Sequence, residues 1–226
     1  TTYGAIIRPQ NIGSGGHSSH GGGAVLLSVA GTTSVDTQSR ITADGGKGFG
    51  GSGSGGTVYI TTASLSGSGT ISANGGTELD ISTRGAGGGG RISVVLTGSG
   101  SDFSEWTGSF KARSGSVEPS NPAKGAAGTV YLEAVADKSG GGTVAVDNET
   151  LSNEMSLKPW TPVPAFAGST EVIKDTRWSA KNQTKLRVVA DTIIGELVIE
   201  PPVELDLAGN SLTLKLFSLD GMATTI

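Results

Sequence analysis

Four short runs of alternating apolar and polar residues recur along the first two thirds of the chain. They are "AVLLSV" (24–29), "TVYITT" (57–62), "RISVVL" (91–96) and "TVYLEA" (129–134). Their starts are separated by 33, 34 and 38 residues, with the spread falling in the connecting loops. Alternation with period two is the mark of a strand with one buried face. It points Val25/Leu27, Val58/Ile60, Ile92/Val94 and Val130/Leu132 inward. Each run is followed by a second strand and a turn: "ITADGG" from Ile41, "ISANGG" from Ile71, "FKARSG" from Phe110 and "VAVDNE" from Val144. The second strands add Ile41/Ala43, Ile71/Ala73, Phe110/Ala112 and Val144/Val146 to the same core. No single copy buries its own apolar face. Copies stacked about 4.8 Å apart bury it together, as continuous aliphatic ladders. The fold class expected is therefore all-β, a parallel β-helix of stacked coils. Helix is disfavoured, because β-branched residues and glycine fill the repeats and i, i+4 apolar spacing is missing.

Glycine enters next, at 38 of 226 residues. The runs "GGKGFGGSGSGG" and "RGAGGGGRI" lead into strands rather than helices, and no GK[ST] follows, so they do not read as phosphate loops. Recurrence in register with the strands argues against a flexible linker. The expectation is that the glycines form corners and a third wall, through left-handed turns and close backbone approach. The "ADGG" and "ANGG" corners would then place Asp44, Asn74, Arg113 and Asp147 in one column. "AIIRPQNIGSGGHSSHGGG" reads as half of a preceding copy, with Ile6 or Ile7 standing where Ile41 stands, so the chain would begin mid-repeat in a longer parent.

Three regions are expected: glycine-rich repeats over 1–150, a proline-containing connector or cap over 151–183, and further strands over 184–226. The last region alternates strictly (Leu197/Ile199, Leu205/Leu207, Leu212/Leu214/Leu216), with "AGNS" as a turn. Its L-x-L-x-G-x-x-L-T-L arrangement, Leu205 to Leu214, resembles strand-turn-strand repeats of bacterial surface β-helices and autotransporter passenger regions. The "GSGTISANGG" phrase is similar to the glycine-rich β-helix repeats of very large bacterial extracellular proteins. That resemblance implies a right-handed coil and an extracellular or cell-surface location. It also implies a structural or adhesive role as stalk, adhesin or self-assembling fibre, with further repeats or identical subunits as partners. Because β-helices also serve as lyases and hydrolases, a carbohydrate-active enzyme or sugar-binding module is the alternative.

Charge and chemistry narrow the picture modestly. Net charge is −4 with both signs dispersed, which gives no footprint for nucleic acid. No run is long and apolar enough to span a membrane as a helix, and no cysteine is present for a disulfide or a thiolate metal site. His17 and His20 form an HxxH pair without an evident third ligand. Cofactors are not expected. Calcium near Asp44, Asp80 or Asp147 is the open alternative, although "GGKGFGG" and "GGSGSGG" lack the Asp of calcium-binding turns. A polysaccharide partner would meet the outward residues Tyr59, Tyr131, Arg113 and Asp44, with Lys111 beside the column, through ring stacking and charge. Polysaccharide lyases need a cation and a base, and hydrolases two carboxylates. The same column is explained by corner residues alone, and no catalytic residue is assigned. Phe103 and Trp106, in the insertion "GSGSDFSEWTGSF", are expected to fold back as a lid, and Trp160 and Trp178 to pack where the halves join.

Overall fold

The computed structural model describes residues 4–79, 85–116, 125–149, 159–164 and 167–215. Among them the chain is all-β, with strands in four sheets and no helix. The four alternating runs form β1 (Ala24–Val35), β3 (Thr57–Gly67), β5 (Arg91–Leu96) and β7 (Thr129–Glu133). They pair in parallel with Val25, Val58, Ile92 and Val130 in one column. β2 (Arg40–Thr42), β4 (Thr70–Ser72) and β6 (Ser109–Lys111) form a second parallel sheet, with Ile41, Ile71 and Phe110 in register. Between the sheets lies a core of Val58, Ile60, Ile71, Ala73, Ile92, Val94, Ala112 and Val130. Val25, Leu27 and Leu132 pack against it, as the alternation predicts. Phe103 and Trp106 pack on it as well, Trp106 tilted against Phe110 at 5.2 Å between ring centroids.

The glycine segments form the third side, by a different geometry from the one expected. The repeat glycines 45, 46, 53, 55, 56, 75, 76, 87, 89 and 90 do not have positive φ. Left-handed turns are therefore not their purpose. Close approach is: a Cβ at Gly53, Gly56, Gly76, Gly87 or Gly90 would lie under 3.0 Å from a neighbouring backbone carbonyl. The hydrogen bonds show the packing. Gly53 and Gly56 donate to Gly46 O (3.1 Å) and Ala43 O (2.8 Å), Ser54 donates to Ser14 O (2.9 Å), and Gly55 to Gly88 O (2.9 Å). Residues three apart thus reach one neighbour while the two between reach others. Gly87 and Gly90 repeat the rule, donating to Gly76 O (3.0 Å) and Ala73 O (2.7 Å), with Gly89 donating to Ala126 O (2.9 Å). A β-strand bonds to two neighbours; an extended chain with three residues per turn, as in polyproline II, reaches more. Glycine suits this because carbonyls press directly on its Cα.

The fourth copy departs from the sequence alignment. β8 (Thr143–Asp147) does not stack on β6; it joins the first sheet, antiparallel to β7. The intervening loop closes on itself. Asp137 N donates to Ala134 O (3.0 Å), the Asp137 carboxylate accepts Ala134 N (2.9 Å), and Gly141 N donates to Lys138 O (2.7 Å). The hairpin register sets Tyr131 opposite Val144, so Val144 and Val146 turn away from the first core.

They belong to a second core on the opposite face, with Ile6, Tyr131, Trp178, Ala180, Leu186 and Ile194. Three walls enclose it. β8, β10 (Arg177–Lys181) and β13 (Glu196–Ile199) form one, as continuations of the first sheet. β9 (Thr161–Val163), β11 (Lys185–Val188) and β14 (Glu204–Asp206) form another, and β12 (Thr192–Ile194) with β15 (Leu212–Leu214) the third. Pairing of Arg177 with Glu196, Lys185 with Glu204 and Thr192 with Leu212 sets a period of about 19 to 20 residues. Two strands thus lie inside the segment expected to be a connector. β9 carries Pro162 at a sheet edge, where no ladder donor is required, and β10 is interior to the seven-stranded sheet. Leu216 lies outside the described residues.

Candidate functional site

The corner residues do form a column, but it ends one copy early. The Asp44 carboxylate accepts Asn74 N (2.5 Å) and the Ser72 hydroxyl (3.1 Å), and Asn74 Oδ1 accepts Arg113 N (3.2 Å). Asp44 and Asn74 thus satisfy backbone of the next copy, while the Arg113 side chain donates to Ser114 O (3.2 Å) and pairs with Glu149 (3.0 Å). Asp147 is not in this column, because β8 changed sheets. It accepts Asn182 Nδ2 (2.7 Å) and lies 3.6 Å from Lys181 Nζ. Where β6 ends beside β8, a cleft of about 200 Å³ opens over Phe110, Val130, Leu132 and Ala145. Its rim carries Lys111, Asp147, Glu149 and Lys181. Glu149 is held by Lys111 (3.2 Å) and Arg113 (3.0 Å), so both rim carboxylates are ion-paired. The cluster reads as a clamp, with Lys111 and Arg113 holding Glu149 and Lys181 holding Asp147.

Tyr131 is not an outward platform. It is fully buried and belongs to the second core. Its hydroxyl donates to the Glu133 carboxylate and accepts Gly142 N (3.2 Å). Burial, reinforced by the bond to Glu133, pushes its pKa far above the usual phenol value. Tyr59, Ser93 and Tyr131 share one column of the sheet, and what separates the tyrosines is the N-terminal segment. The Ser93 hydroxyl donates to Ile7 O (2.6 Å), while the amides of Ile6 and Ile7 donate to Glu171 at 2.7 and 2.8 Å. Ile6 is buried in the second core. It does not occupy the position below Ile41 expected of a half-repeat, because an apolar pair pinned by Glu171 covers the sheet at Ser93.

On the other side of this strap lies the candidate site, a groove of about 580 Å³. Its floor is Tyr59, Thr61, Val95 and Thr97; its rim includes Arg8, Glu133 and Glu171. Tyr59 is half-buried and lines the groove, and Arg8 is exposed. The two carboxylates are already engaged: Glu133 accepts Tyr131 Oη and Gly140 N (2.8 Å), and Glu171 accepts the two isoleucine amides. The arrangement offers a ring face, hydroxyls and one guanidinium, a set suited to stacking and hydrogen bonding.

Of the residues singled out in the sequence, Tyr59 lies in this groove, Asp44 and Arg113 in the column, and Tyr131 in the core. The structure does not bring the four together. Sequence reasoning missed Arg8, Glu133 and Glu171. The available signal was the outward parity of Tyr59, Thr61, Val95 and Thr97 together with an unexplained apolar pair at Ile6 and Ile7. His20 Nδ1 lies 3.2 Å from Gly21 O, and among the described residues no group of three or more His, Asp or Glu converges on one point. Asp80 lies outside the described residues. The chain matches no family model, no curated protein and no solved structure.

Proposed function

We propose that this chain is a structural or adhesive segment of a secreted or cell-surface repeat protein, built as a right-handed parallel β-helix. The observation that supports it best is the register: within each core, side chains of successive parallel strands stand in columns. A seven-stranded sheet at about 4.8 Å per step extends for about 29 Å. The hand follows from the rule that crossovers between parallel strands of one sheet are right-handed. The extracellular location rests on resemblance to glycine-rich surface repeats. Such a segment acts mechanically, as a stiff spacer whose backbone ladders resist extension together.

A second reading is favoured by the groove: sugar binding, with Tyr59 stacking on a pyranose face and Arg8 meeting a carboxylate or hydroxyl. One experiment separates both from an enzyme. Incubation with a panel of neutral and acidic polysaccharides should leave chain length unchanged, with retention on a matrix lost in Tyr59→Ala if the groove binds sugar. New reducing or unsaturated ends in the digest would contradict the non-enzymatic reading.

A further inference from the structure

The groove beside the N-terminal strap is polarised along its length. Thr61, Val95 and Glu133 stand in one row across β3, β5 and β7, so this row spans about 10 Å over two strand steps. Tyr59 lies two residues before Thr61, at the β3 end. The strap brings Arg8 to that same end. Ile7 O accepts the Ser93 hydroxyl of β5 (2.6 Å), and Asn11 O accepts the Thr57 hydroxyl of β3 (2.7 Å). The chain therefore crosses from β5 to β3 between them, with Arg8 on the way. Arg8 is exposed and forms no ion pair among the described residues.

The opposite end is anionic. Glu133 Oε2 accepts Gly140 N (2.8 Å) and the Tyr131 hydroxyl, while its Oε1 has no protein partner among the described residues. Apolar groups stand beside it: a Cβ on Gly140 would lie 3.2 Å from Val172 O and 3.7 Å from Ile7 Cδ1, and Val172 is 63 % exposed. Glu171 adds a second negative charge, its oxygens taken by the Ile6 and Ile7 amides. Of the neighbouring charges, Asp137 is matched by Arg177 (2.9 Å) and Lys138 acts on Asp175.

Resting on the sugar-binding reading of this groove, we infer that its ligand is zwitterionic: a glycan stretch with a carboxylate on one residue and a free amine on the next. The carboxylate meets Arg8, the sugar ring beside it packs on Tyr59, and the ammonium reaches Glu133. One ring cannot bridge the row of about 10 Å, whereas two linked rings can. A purely acidic chain would set a second carboxylate against Glu133, and a purely basic chain an amine against Arg8. Each loses by repulsion what the mixed chain gains.

Titration of the whole chain with four oligosaccharides of equal length tests this: neutral, uronate only, amino only, and alternating uronate and amino sugar. The alternating one should bind tightest. Arg8→Gln should weaken it at least about tenfold, the loss of one charged hydrogen bond, and should strengthen the amino chain. Glu133→Gln, which still accepts Gly140 N, should weaken it equally and strengthen the uronate chain. Acetylating the ligand's amine should cost the wild type as much as Glu133→Gln does, and needs no protein variant. Equal binding of neutral and alternating chains, or variants that shift all four ligands alike, would overturn the inference and leave sugar binding standing. No binding of any of the four would overturn both.

Discussion

At the scale of single residues, glycine separates what composition reveals from what only geometry decides. Gly53 and Gly23 are interchangeable to a sequence reader, yet a Cβ on Gly53 meets the His20 carbonyl while one on Gly23 meets nothing within 4 Å. Gly53→Ala should therefore destabilise the fold by about 3 kcal/mol, the cost of overpacking against rigid backbone. Gly23→Ala should change stability by no more than about 0.5 kcal/mol. Urea unfolding of the two variants checks the pair, and equal effects would mean that the glycine segments are not closely packed. The pattern also made Asp44 and Asn74 corner residues for the wrong reason. Neither adopts the left-handed conformation those side chains tolerate; each accepts hydrogen bonds from the next copy. Tyr131 was misjudged because its neighbours Val130 and Leu132 face the first core, and nothing in a strand's own alternation says that its other face is covered as well.

At the scale of elements, the strands and columns of the first stack could be read directly, since period two and a spacing near 34 residues fix both. The reversal at β8 could not. "FKARSG" and "VAVDNE" alternate alike, and the distinction lies in the Asp137 turn and the Tyr131–Glu133–Gly142 contacts that close the hairpin. The shorter period of the second stack escaped for a related reason: each wall contributes only one or two buried side chains, such as Trp178/Ala180 and Leu186/Val188. This stack is tied together by carboxylates. Asp175 is bonded to Lys215 (2.7 Å), Asp191 to the amide and hydroxyl of Ser211 (2.8 and 2.9 Å), and Asp206 to the Ala208 amide (2.8 Å) and to Arg187. Lys215 holds Asp175, the Ser211 amide holds Asp191 and the Ala208 amide holds Asp206, each below the ordinary value of 3.8. A folded-state pKa below the unfolded one contributes stability above the unfolded value and loses it as pH falls through the folded one. The melting temperature should therefore hold from pH 7 down to about pH 4 and decline below it. Asp191→Asn should make that decline shallower. A melting temperature that rises on acidification would contradict the role given to these carboxylates.

At the scale of the whole molecule, two stacks share one seven-stranded sheet, the first core on one face and the second on the other. The sheet carries the aliphatic columns, and the glycine segments brace the first stack along the side that lacks strands. This bracing is the central physical claim, because it turns what composition would make a linker into the stiffest kind of wall, backbone bonded to backbone in several directions. Hydrogen exchange resolved by residue tests it most directly. Amides that open only with global unfolding exchange slowest, and those in loose segments exchange almost freely. The amides of Gly46, Gly53, Gly76, Gly87 and Gly90 should be protected as strongly as those of Ile60 and Val94 in the sheet. Exchange of the five glycines at the rate of an unstructured chain, with the strands still protected, would contradict the account.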